Sequence, residues 1–197
     1  IQGKIDSAGY DFRVVNAGSS GETSAGALRR IDWLLRNPLA VLVIEMGANH
    51  RNEIRYMLGI AEPDIVFVNN AGAAHVEGFG SLQGVIEAKG EMYQYCRPQA
   101  LAVFNDDEAA VDYWRSVVAT SSQLSFSSDH QADVTAQVEL TAQGIRLEIR
   151  HAGQRAQCRL DVHGAHNAQN ALAAISLAMS PWLPPRALRT AGGSGRE

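Results

Sequence analysis

Apolar residues fall along this chain in two rhythms. As far as residue 119, short runs rich in β-branched residues, at 12–15, 41–44, 65–68 and 101–104, alternate with stretches of helical spacing. A short continuous apolar run bounded by polar or small residues reads as a buried parallel strand. The intervening stretches predict helices. In 23–36, Ala27, Leu28, Ile31, Leu34 and Leu35 share one side, and Asn37-Pro38 stops the helix. Further helices are predicted at 52–60, ended by Gly59 and Pro63, at 81–95 with Ser81 as N-cap, and at 108–119. Past Ser121 the rhythm changes to strict alternation, at 133–141, 145–151 and 155–160, with Gly144 and Ala152-Gly153 as hairpin turns. A last helix opens after 162 and runs to Met179, before Pro181, Pro184 and Pro185. The pattern predicts an α/β fold: a mostly parallel sheet with helices on both faces, plus a small antiparallel β subdomain. One domain is expected over 1–190, with a disordered tail at 191–197.

Composition narrows the picture slightly. A hydrophobic fraction of 46% and a charged fraction of 19% are those of a soluble globular chain. The net charge of −4 gives no support to a nucleic-acid surface. An anionic ligand would need local help from a lysine, a helix N-terminus or a metal. Cys96 and Cys158 have no metal-binding spacing, so a reducing, cytoplasmic setting is expected. No apolar run approaches membrane-spanning length, and no membrane partner is expected.

Candidate chemistry collects where the strands end, because open α/β sheets bind ligands at the carboxyl ends of their strands. The run 41–44 delivers Glu45; the run 65–68 delivers Asn69, Asn70 and, five residues on, His75; the helix after Ser81 carries Lys89. Glu45, His75 and Lys89 are expected to meet in one cleft. Upstream, Gly18, Ser19, Ser20, Gly21, Glu22, Thr23 and Ser24 form a glycine-rich turn ahead of a helix. It reads either as an ordinary strand-to-helix turn or as a phosphate loop, although the place a phosphate loop gives to lysine holds Glu22. Downstream, His166-Asn167-Ala-Gln-Asn170 sets two asparagines at a spacing that shares one helix face. Asn167 also suits an N-cap, and a planar amide can both give and accept hydrogen bonds at a base edge. In Asn105-Asp106-Asp107, either aspartate reads mainly as a helix cap. Asp129 and Asp133 read as solvated surface, and Trp33, Trp114 and Trp182 as packing residues.

The segments EMGANH, PDIVFVNNAGAAHVEGFGSLQGV and EAKGE, together with HNxxN, closely resemble the central, ATP-binding domain of the Mur ligases. The resemblance implies a P-loop-type sheet and a ligase that joins D-alanyl-D-alanine to UDP-MurNAc-tripeptide in cell-wall precursor synthesis. The reaction it implies runs through an acyl phosphate, with ATP and Mg2+ as cofactors. It further implies phosphate contacts from Gly18, Ser19, Ser20, Gly21, Thr23 and Ser24, and adenine contacts from Asn167 and Asn170. Magnesium ligands would be Thr23, Glu45, His75 and Lys89, with Lys89 and His75 catalytic and Lys89 carbamylated. The implied partners are nucleotide and UDP-MurNAc-peptide, acting on a monomer. Two departures stand out. Glu22 replaces the lysine, and the asparagine-rich substrate loop expected between the phosphate loop and residue 41 has no counterpart. Both favour a chain that binds Mg-ATP poorly and ligates nothing alone; a non-catalytic module that binds a protein or a nucleotide is the alternative. The phosphate loop and Asn170 are expected on the same side of the sheet, roughly 10 Å apart, so that a nucleotide spans them.

Overall fold

A computed structural model describes residues 13–16, 30, 34, 36, 41–72 and 76–179, with the backbone alone at Val76 and Glu77. The chain forms two compact units, Ile1–Ile44 and Glu45–Glu197. In the first, Arg30 and Leu34 are helical and Leu34 is buried. The strands expected at 12–15 and 41–44 are not formed at the described positions: residues 13–16 and 41–44 have no regular secondary structure. Val43 is 88% exposed. A β-branched run becomes a strand only when a neighbour satisfies its backbone groups. Among the described residues, none pairs with 41–44.

The second unit opens with α1 (Glu53–Ala61), β1 (Ile65–Phe67), α2 (Val76–Phe79) and α3 (Leu82–Gln94). It continues through β2 (Leu101–Asn105), α4 (Val111–Val117) and β3 (Gln123–Ser127) to the hairpin strands β4 (Val134–Thr141), β5 (Gly144–His151) and β6 (Gln154–Leu160), and closes on α5 (Ala165–Ala178). The six strands form one sheet in sequence order. Strands β1 to β4 pair in parallel, and β4 to β6 form the expected antiparallel meander. The meander is therefore an extension of the same sheet. Gly59 lies inside α1 and does not end it. The helix stops at Glu62, whose left-handed backbone and N–H to Leu58 O close the last turn.

Strand periodicity sorts the core into two layers. On one face Val66, Val68, Ala102 and Phe104 pack with Ile54 and Leu58 of α1, Tyr93 of α3 and Trp114 of α4. On the other, Leu101, Val103, Leu124 and Phe126 pack with Ala168, Leu172 and Ala173 of α5. All five residues of β2 are buried because helices cover both its faces, which is why that strand reads as a continuous apolar run. Tyr93 ties the layers together: its hydroxyl donates to Val103 O at 2.8 Å and accepts from Val68 N at 3.0 Å. In the meander, a Cβ at Gly144 would sit 2.1 Å from Leu160 O, so only glycine allows β6 to approach there.

Strand β3 has no counterpart in the sequence expectations. Two of its polar positions, Ser125 and Ser127, are buried, while Gln123 at its start is exposed. Ser125 is satisfied by Asp133, whose Oδ2 accepts from Ser125 N at 2.8 Å, and Ser127 by Asp107. Asp133 is thus an exposed residue with an anchoring bond.

Candidate functional site

At the carboxyl end of β1 two of the sequence candidates, Lys89 and Asn170, are tied to adjacent asparagines. Asn69 and Asn70 follow the strand directly, and each reaches a different helix. Asn69 Nδ2 donates to Asn170 Oδ1 at 3.0 Å, on the first turns of α5. Lys89 Nζ, on α3, donates to the main-chain oxygen of Asn70 at 2.7 Å. The two adjacent asparagines therefore link the HNxxN helix to the lysine-bearing helix.

Each helix is seated by its own chemistry. Ser81 caps α3, its hydroxyl accepting from Gly84 N at 3.0 Å. Gly90, one residue past Lys89, is packed so closely that a Cβ would lie 3.1 Å from the rings of Tyr113 and Trp114. Lys89 is partly buried, and this burial pushes its amine below the usual lysine range, while the nearby Glu108 carboxylate pulls it the other way. Glu108 is itself tied to the loop after β1, accepting from Ala71 N at 3.1 Å. Glu91, buried on the same helix, accepts from Asn52 N at 2.6 Å and Arg55 N at 3.2 Å. A carboxylate at the N-terminus of α1 satisfies donors that the helix cannot pair internally. It also holds the segment leading from Glu45 against α3.

Glu45 lies in the irregular segment before α1, with its side chain exposed. No hydrogen bond or ion pair joins it to Lys89. Among the described residues, no three His, Cys, Asp or Glu side chains group closely enough to hold a metal ion. His75 and the loop at 18–24, including Thr23 and Glu22, lie outside the described residues. Asn167 is not the N-cap of α5; that position is Gly164, with no side-chain cap bond. Its amide instead donates to His163 O at 2.8 Å.

Asp106 and Asp107 were expected as caps, and neither caps α4, whose N-cap is Ala110. Asp106 pairs with Arg115 at 2.6 Å. Asp107 is a polar hub among the described residues. Its carboxylate accepts from Ser127 Oγ, Ser128 N at 2.7 Å, Ser128 Oγ at 2.9 Å and Gln169 Nε2 at 2.7 Å, and meets His130 Nδ1 at 3.2 Å. Burial by itself would raise this carboxyl; the donors from Ser127, Ser128 and Gln169 outweigh it and hold the group well below the usual aspartate range. The hub escapes sequence reading because its members come from three separate segments. The one local signal is Gln169, between the two motif asparagines.

Comparison with known proteins gives the chain's family. The Mur ligase middle domain matches residues 5–178. The chain is 38% identical over 140 residues to UDP-N-acetylmuramoyl-tripeptide--D-alanyl-D-alanine ligase of Escherichia coli, covering 70% of this chain and 31% of that protein. Against the enzyme of the same name from Haemophilus influenzae it is 37% identical over 139 residues, covering 70% and 30%. The crystal structure I of MurF from Acinetobacter baumannii superposes with a TM-score of 0.62 at 31% identity, over 78% of this chain and 34% of that one. The chain belongs to the Mur ligase family and carries its middle domain. It spans about a third of the length of these relatives.

Proposed function

We propose that this domain is the nucleotide-binding portion of an ATP-dependent ligase that forms an amide bond between UDP-MurNAc-tripeptide and D-alanyl-D-alanine, a step in peptidoglycan precursor synthesis. The observation that carries the reading is the pairing at the end of β1, with Asn69 on Asn170 and Asn70 on Lys89. Asn170 offers an exposed amide to an adenine edge, supported by Asn167 one turn earlier. The proposed phosphate contacts are Gly18, Ser19, Ser20, Gly21, Thr23 and Ser24, which lie outside the described residues.

Thr23, Glu45, His75 and Lys89 are the proposed magnesium set, and of these Glu45 and Lys89 are described. Lys89 fits the chemistry: carbamylation needs a neutral amine, and burial moves this one in that direction. The described residues do not by themselves assemble a metal cluster. No step is therefore routed through the metal; when bound it would neutralise phosphate charge. In the related ligases named above the substrate is the UDP-N-acetylmuramoyl-tripeptide; here it is part of the proposal.

Glu22 sets the activity expected of this polypeptide. It puts an anion where the phosphate loop has a cation, a difference of two unit charges. One unit charge at 4 Å is worth about 4 kcal/mol at an effective dielectric of 20. A net penalty of about 3 kcal/mol weakens affinity more than a hundredfold. The chain is thus expected to bind Mg-ATP weakly and to ligate nothing alone. Glu22 also favours the second reading, a non-catalytic ligase-derived module that binds a protein or nucleotide. Calorimetry with Mg-ATP on the chain and on Glu22→Lys separates them. A large gain in affinity on substitution supports a nucleotide site; equal, tight binding by both forms contradicts the charge argument; no binding by either supports the non-catalytic module.

A further inference from the structure

Helix α5 carries Asn170 but does not cap itself: Gly164 makes no side-chain cap bond. What fixes its first turns is contact on three sides. Ala168, Leu172 and Ala173 sit on the sheet. Asn170 meets Asn69 at 3.0 Å. Gln169, about 100° around the helix from Asn170, sends one amide nitrogen to two oxygens, Asp107 Oδ2 at 2.7 Å and Ser128 Oγ at 2.8 Å. The amide orientation is forced, because a carboxylate can only accept. It leaves Gln169 Oε1 buried with no partner. The Asp107 side chain is 9% exposed and accepts hydrogen bonds from the end of β3 and the turn after it.

We propose that Gln169 is the positioning residue of the base site: clamped to Asp107 and Ser128 at the ends of β2 and β3, it sets the rotation of α5 and so the aim of Asn170 at the adenine edge. The inference rests on the reading of Asn170 as the adenine contact. Its consequence is specific. Phosphates and ribose are common to ATP and GTP, so a residue that aims Asn170 alters the ratio of the two affinities. A residue that only stabilises the fold alters both alike.

The test uses the 197-residue chain carrying Glu22→Lys, titrated calorimetrically with Mg-ATP and with Mg-GTP. Gln169→Leu keeps the side-chain volume and removes the clamp. We expect ATP affinity to fall about tenfold, equivalent to about 1.4 kcal/mol, with GTP affinity unchanged. In the Asn170→Ala background, Gln169→Leu should produce no further change in the ratio. An equal loss for both nucleotides, or an unchanged ratio, overturns the proposal. A ratio unmoved by Asn170→Ala itself shows instead that the adenine reading has failed, and the proposal with it. Should Gln169→Leu not fold, Ser128→Ala decides by the same ratio, since it removes one of the two clamp oxygens. A readout without nucleotide runs alongside: the side-chain amide resonance of Asn170 should shift in the clamp variant, and an unmoved resonance counts against it.

Discussion

Asn69 donates its side-chain amide to Asn170 Oδ1 at 3.0 Å although 101 positions separate the two in the chain. Both residues are exposed. A solvent-exposed bond between neutral amides adds little to stability, at most about 1 kcal/mol. Asn69→Ala is accordingly expected to melt within a few degrees of the parent. In the Glu22→Lys background, its ATP affinity should fall several-fold. Thermal melts and calorimetry on the same preparation check both halves.

Lys89 is one of two lysines, with Lys4. Its amine, lowered by burial against the pull of Glu108, reaches the neutral form at a lower pH than an ordinary lysine. Incubation with carbon-13 bicarbonate should give a carbamate resonance that is absent from Lys89→Arg and present in Lys4→Arg. The adduct should persist to lower pH than that of a free lysine side chain. A signal that survives Lys89→Arg contradicts the assignment.

Asp107 gives a pH-dependent test of the hub. Its carboxyl is lowered in the folded chain, since donors from Ser127, Ser128 and Gln169 outweigh the effect of burial. The stability it contributes is fully present above the unfolded aspartate pKa, about 3.9, and is lost as pH falls below it toward the folded value. Asp107→Asn should cost about 1.5–3 kcal/mol at neutral pH, the range for hydrogen bonds to a charged group. The gap to the parent should narrow steadily below about pH 4. Urea denaturation at a series of pH values measures it; a gap independent of pH would contradict this role for the Asp107 carboxylate.

Tyr93→Phe removes the hydroxyl that joins Val68 N to Val103 O in the buried layer. Two backbone groups lose their partner, and the expected cost is about 1–3 kcal/mol. Because Val68 lies two residues before Asn70, the register of the β1 end against α3 should loosen too. Hydrogen exchange at the Val68 amide should rise by more than the global loss of stability explains.

The alternating strands of the meander and the capped helix of Lys89 were legible in the sequence because local chemistry settles them: hairpin turns at Gly144 and Ala152-Gly153, and Ser81 reaching Gly84 N. Strand β3 was not legible, since Ser125 and Ser127 look solvated until Asp133, in the turn that follows, and Asp107, in the loop after β2, are seen to satisfy them. The run at 41–44 misled in the opposite sense. Its composition suits a strand, yet Val43 stands in solvent and no described strand pairs with it. At the site, Asn170 and Lys89 were identifiable as motif residues. Their connection through Asn69 and Asn70 needed the fold, as did the role of Gln169, which no spacing rule singles out.

The proposed seat of the nucleotide is the end of β1, with the base on Asn170. Nuclear magnetic resonance of the Glu22→Lys chain, with nitrogen-15 amides followed during titration with Mg-ATP, tests it most directly. The side-chain amides of Asn69 and Asn170 and the backbone amide of Ala71 are expected to shift together and saturably, while amides of the far hairpin at Ala152-Gly153 stay fixed. Saturable binding that leaves Asn69 and Asn170 unmoved would contradict it.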